Sequence, residues 1–264
     1  MACGLAWALA ACGGGPEWRV VADAPPAGTA PVDQLRVAGN ACGPAALLNS
    51  YRFGAPEWHR AMAVIRGETD RGRLNTVIRT WGLRPSESLP DRPRWSRHGI
   101  NPDDLCAVAN EINRHAALPE LRCEVLLAQP GESPQQLLAR VHQRLGKSLA
   151  NGFPPVVSIR RLALRQEPGK PPDWVVVQGH FVTLAAIQGK LPREATGFAV
   201  SYIDPWGARQ AEGRIRMAER AFETGAGIPS PCLETVLPGT DAGLQHIRKG
   251  EITELTLATG IGKW

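Results

Sequence analysis

Apolar positions change period about halfway along the chain. In "NACGPAALLNSYRFG" (residues 40–54) a helix is predicted from Cys42 onward: Pro44 suits the first turn, Ala45 to Leu48 propagate well and Gly54 is a plausible stop. Apolar residues then recur every three or four positions in "APEWHRAMAVIRGETDRGRLNTVIRTWGLRP", bounded by Gly72, Gly82 and Pro85, which predicts two short helices. Residues 86–99, rich in Pro, Arg and Ser, read as a loop. "NPDDLCAVANEINRHAAL" is a further helix, with Asn101 as cap, Pro102 in the first turn, acids at the positive end and His115 near the other. Beyond it "LRCEVLLA" is a strand and "SPQQLLARVHQRLGKSLANG" a capped helix. The β-branched runs "PPVVSIRRLAL", "DWVVVQGHFVTLAAI" and "GFAVSYID" predict successive strands of an antiparallel sheet. The tail "EITELTLATG" adds one edge strand. Helices come first and sheet second, an α+β pattern.

With 264 residues, 43% of them hydrophobic, the chain can bury one sizeable core, so one domain over residues 34–264 is expected. The net charge of +5 does not point to nucleic acid, because the arginines are scattered among acids and only 6% of residues are aromatic. Six cysteines include no CxxC pair, so no metal site is indicated and no cofactor is expected. Past the first dozen residues no apolar run approaches the roughly 18 residues of a membrane span.

Residues 1–33 differ from the rest. An apolar run ends at Leu9, Ala10, Ala11 and Cys12, followed by glycines and a Pro-rich stretch, which is the shape of a secretory signal. "LAAC" resembles the bacterial lipobox, whose cysteine is lipidated. On that reading Cys12 is a lipid anchor, residues 13–33 are a flexible tether and the protein is an exported lipoprotein of the cell envelope or periplasm. The alternative is an apolar terminus that stays attached to a cytoplasmic protein.

The chemistry begins with Cys42. At a helix mouth the unpaired N–H groups and the positive end of the macrodipole favour thiolate over thiol. Alternatively, Cys42 is a small buried hydrophobe. A thiol nucleophile needs a base and a third group to orient it. Of six histidines, five fall on helices or in polar segments, whereas His180 opens the apolar run "GHFVTLAAI". Asp204 closes another run, with Pro205 stopping it, and adjacent strands would let Asp204 accept the second imidazole N–H.

Cys-Gly-Pro-Ala-Ala-Leu opening a helix, Gly-His-Phe-Val on a strand and Asp-Pro-Trp-Gly after the next strand together resemble the papain-like cysteine peptidase superfamily, and are most similar to its bacterial double-glycine, bacteriocin-processing branch. The resemblance covers roughly residues 34–207. It implies a papain-like fold in which an N-terminal helical half carries the nucleophile and a C-terminal antiparallel sheet carries His and Asp. It also implies a Cys42–His180–Asp204 triad that cleaves peptide or isopeptide bonds through an acyl-enzyme. The family places a glutamine upstream of the cysteine as an oxyanion donor; Gln34 is that residue here, with Asn40 as the alternative, and Trp206 either shields the His–Asp bond or packs in the core. The expected partner is a peptide or protein substrate, with the chain a monomer, free of nucleic acid and attached to a membrane only through an N-terminal lipid. Two other functions remain open: an acyltransferase using the same thioester, and a catalytically silent, surface-anchored binding module. No pairing of Cys106, Cys123 and Cys232 is readable.

Overall fold

The computed structural model describes residues 17–22, 25, 28–219, 222–224, 228–230, 232–241 and 243–264. Helix α1 (Cys42–Arg52) starts as predicted at the thiol. A 3-10 turn leads into α2 (Arg60–Val64), and α3 (Asp70–Thr76), capped by the Thr69 hydroxyl, runs on into a π-helical turn at Val77–Gly82. The Asn101 side chain accepts the Asp104 N–H at 2.9 Å to open α4 (Pro102–His115). Ser133 and Gln136 exchange side-chain and backbone bonds at the start of α5 (Pro134–Ala150), a capping box.

The strands are β1 (Trp18–Val20), β2 (Trp95–Ser96), β3 (Gly99–Ile100), β4 (Arg122–Val125), β5 (Val156–Arg165), β6 (Asp173–Gln188), β7 (Gly197–Asp204), β8 (Arg209–Met217), β9 (Phe222–Thr224), β10 (Ile228–Ser230), β11 (Leu233–Val236) and β12 (Thr253–Gly262). Six of them, in the order β5, β6, β7, β8, β11 and β12, close on themselves as an antiparallel barrel, because β12 pairs back to β5. β1 joins the far end of β6, and β4 pairs with β12.

This barrel overturns the expected papain-like division into a helical half and a sheet. Three features of the chain produce the closure. β6 is 16 residues long, so its first half pairs with β5 and its second with β7. The tail strand β12 is no edge, since it lies between β5 on one side and β4 and β11 on the other. β8, which the apolar pattern passes over, buries only Ile215 fully among its nine residues, yet pairs with both β7 and β11. Closing a sheet satisfies backbone groups that an open edge would leave to water.

The five α-helices among the described residues are short and share one core with the barrel. α1 is the most enclosed: ten of its eleven residues are buried, among them Leu47, Leu48 and Tyr51. Each such side chain contributes about 1.5–3 kcal/mol by leaving water. Polar pins fix its depth, with Thr183 on β6 donating to the Ala46 carbonyl at 2.8 Å and the Tyr51 hydroxyl donating to Asn113 Oδ1 at 2.7 Å. Upstream of residue 34, Trp18–Val20 belongs to the sheet, and Val32 is fully buried with its N–H bonded to Asn49 Oδ1 at 2.7 Å. Parts of the segment expected as a tether are therefore folded onto the body, while Cys12 lies outside the described residues. No helix among the described residues is long and apolar enough to cross a membrane.

Candidate active site

Cys42 is the first residue of α1, and the backbone N–H groups of that first turn have no intrahelical acceptors. Burial by itself would push its thiol up. The hydrogen bond and charge of His180, followed by the backbone N–H groups of Phe181 and Gly43, outweigh burial and hold Cys42 below its ordinary value. No imidazole supports the other described thiols: burial pushes Cys106 up to about 11 in spite of the Cys123 N–H and the Asn110 amide, and pushes Cys123 and Cys232 up to about 12. Among the described residues Cys42 is thus the one thiol held below its ordinary value.

Pairing between β6 and β7 brings the imidazole to its carboxylate. Thr183 faces Ile203, so Asp204 stands one step on, beside Val182, and shares a sheet face with His180 two residues further back. His180 Nε2 donates to Asp204 Oδ1 at 2.7 Å, and both side chains are at most 4% exposed. Nδ1 is left for the thiol. Burial pulls His180 down, but the bonds to Asp204 and Cys42 and their charges raise it to about 9. Raising the imidazole while lowering the thiol favours one microstate, thiolate beside imidazolium. The Trp206 N–H also donates to Asp204 Oδ1, at 2.9 Å, and holds the carboxylate in place, while Oδ2 has no partner.

Gln34 is wholly buried in a 3-10 turn, Gln34–Arg36, tied to the same corner by its backbone N–H, which donates to the Pro205 carbonyl at 2.9 Å. Its Nε2 donates to the Gly39 carbonyl at 2.5 Å, and Oε1 is unpartnered. An amide nitrogen carries two hydrogens, so one donor remains beyond Gly39. Asn40, the alternative oxyanion donor, likewise spends one Nδ2 hydrogen, on the Ser96 carbonyl at 2.9 Å, and keeps the other; it lines the cleft beside Cys42. Trp95 Nε1 returns a bond to the Asn40 carbonyl at 3.2 Å, so the β2–β3 hairpin is stitched to the loop that precedes the nucleophile.

Cys42 and His180 open onto a cleft of about 650 Å³, into which Asn40, Trp206, Gly179 and the tip of the β2–β3 hairpin also project. Trp206 is half-buried, and its ring stands beside Gly39 and lines the cleft rather than filling the core. Among the described residues no group of three or more His, Cys, Asp or Glu side chains is placed to hold a metal ion. The Phe181 and Gly43 N–H groups that steady the sulfur went unread in the sequence, as did Arg97 and Arg160 on the cleft wall. Backbone donors carry no residue-type signal, and the arginines are remote from the motif.

No protein-family model matches the chain, and no curated protein or solved structure matches it either.

Proposed function

We propose that the chain is a cysteine-type peptidase that hydrolyses peptide or isopeptide bonds through a Cys42 thioester. The carrying observation is the pairing of the one lowered thiol among the described residues with an imidazole whose other nitrogen is held by a buried carboxylate. The Cys42 thiolate attacks the carbonyl carbon, and the donors this reading assigns to the resulting oxyanion are the Cys42 N–H and the spare amide hydrogen of Gln34, with that of Asn40 as the alternative. His180 then gives its proton to the departing amine, so the C–N bond breaks and an acyl-enzyme remains. A water loses a proton to His180, adds to the thioester and releases Cys42. Asp204 keeps Nε2 protonated and so fixes Nδ1 as the nitrogen that trades protons with sulfur and substrate.

Cys42→Ala is expected to abolish peptide hydrolysis while leaving the circular-dichroism spectrum and melting temperature near those of the parent. Hydrolysis that survives in this variant would defeat the reading. The lipobox-like segment ending at Cys12 supports attachment to the cell envelope, which metabolic labelling with a fatty-acid analogue would test.

A further inference from the structure

Strand β6 has hydrogen-bonded neighbours on both edges only near its end. β5 runs along one edge from Asp173 to Thr183, whereas β7 takes the other edge only from Thr183 to Ile187. Over residues 178–182 no described strand pairs with that second edge, although β9 passes close to β6. The Phe181 N–H points out of this edge, because the Leu184 N–H, three residues on, points the other way, to the Pro155 carbonyl just ahead of β5 at 2.9 Å. Backbone groups of a strand alternate in direction, so the N–H and C=O of Gly179, two residues earlier, leave on the same side. The Gly179 carbonyl accepts the side-chain amide of Gln178 at 3.0 Å, and a Cβ added at Gly179 would meet nothing within 4 Å, so the sheet face there is open to the cleft. An edge with no described partner strand and an open sheet face, two residues from Phe181 beside Cys42, is a template for an extended peptide.

Charge on the cleft wall narrows the class of peptide. Arg97 and Arg160 line it, together with His98 and His246, and no Asp or Glu does. Among the described residues neither arginine forms an ion pair, and Arg160 lies directly across the ladder from Gly179. Arg97 sits at the turn of the β2–β3 hairpin, its Nε donating to His98 Nε2 at 3.1 Å. Guanidinium groups without a carboxylate partner suit a carboxylate brought by a ligand.

We infer that the cleft takes an acidic peptide in extended form, added as a strand to the free edge of β6 at Gly179, with its carboxylates received by Arg97 and Arg160. For its consequence, cleavage at Cys42, this rests on the peptidase reading; for binding it does not. The test therefore uses the Cys42→Ala protein and fluorescence anisotropy with short labelled peptides. One carries alternating Glu, one carries Gln instead, and two are Glu peptides N-methylated at one or the other alternate set of residues. The Glu peptide is expected to bind about tenfold tighter than the Gln peptide and to lose that advantage in R97Q/R160Q or at about 0.3 M salt. One of the two N-methylated peptides is expected to bind about tenfold more weakly, because it cannot donate to the edge. Gly179→Val is expected to keep the parent melting temperature and lose the Glu peptide. Equal affinity for Glu and Gln peptides, or full affinity in both N-methylated ones, overturns the proposal. Absence of hydrolysis by the wild-type protein would instead overturn the peptidase reading and leave this binding result standing.

Discussion

Asp204→Asn changes the candidate site at the end farthest from the thiol, and its effect can be sized. His180 stands at about 9 against an ordinary 6.5, which at about 1.36 kcal/mol per pH unit is about 3 kcal/mol in favour of the imidazolium. That is a net figure, in which burial opposes the charge while the bonds and charges of Asp204 and Cys42 support it. Asparagine keeps an oxygen for His180 Nε2 and the Trp206 N–H but loses the charge. If Asp204 supplies about half of the net support, the loss is about 1–2 kcal/mol, and His180 falls by about one pH unit. Because the imidazolium holds Cys42 low, the onset of thiolate moves up by a similar amount. The assay is the rate of Cys42 alkylation by iodoacetamide against pH, located by peptide mass mapping. The parent should alkylate with a midpoint below 9.0, and the variant about one pH unit higher, with peptide hydrolysis falling by up to about 10,000-fold. An unshifted alkylation profile would show that Asp204 does not support the pair. Stability gives a second readout. A raised histidine contributes fully below its unfolded value of 6.5, and the contribution is lost as pH rises through about 9. The melting-temperature gap between parent and variant should therefore be widest near about pH 6 and close towards about pH 10.

Three further outcomes follow from the same geometry. At about pH 7.5, iodoacetamide should label Cys42 far faster than Cys106, Cys123 or Cys232, which stand at about 11 to 12; comparable labelling of all four, read by mass mapping, would refute the assignment. Gln34→Ala should lower kcat about 100- to 1,000-fold while leaving the alkylation profile of Cys42 in place, and an unchanged kcat would remove Gln34 from the oxyanion site. Gly43→Ala would set a Cβ 2.5 Å from Ile100 Cγ2, so urea unfolding should show a loss of about 1–3 kcal/mol, and parental stability would contradict the packing.

The local elements were legible because their causes are local. Asn101 with Pro102, Ser133 with Gln136, and Cys42 followed by Pro44 announce helix starts whose hydrogen bonds close within a few residues. Cys42, His180 and Asp204 stood out for a related reason: a thiol at a helix mouth, and polar side chains interrupting or ending apolar runs, are anomalies visible in one dimension. β8 and β11 stayed hidden, the first because its side chains are mostly polar, the second because its four residues are too few to show a period. Gln34 could be named but not placed, since the bond that commits its amide is to a carbonyl in the next turn of the loop.

The sequence by itself determined where helices begin, which stretches are apolar enough to be strands, and which three residue types could make a thiol reactive. Only the tertiary structure decided that the sheet closes into a barrel, that the tail strand is interior, and that β6 keeps an edge beside Cys42 with which no described strand pairs. Strand partners are chosen by contacts distant along the chain, and the partner of each half of β6 depends on where β5 and β7 stop, a length match that no single segment encodes.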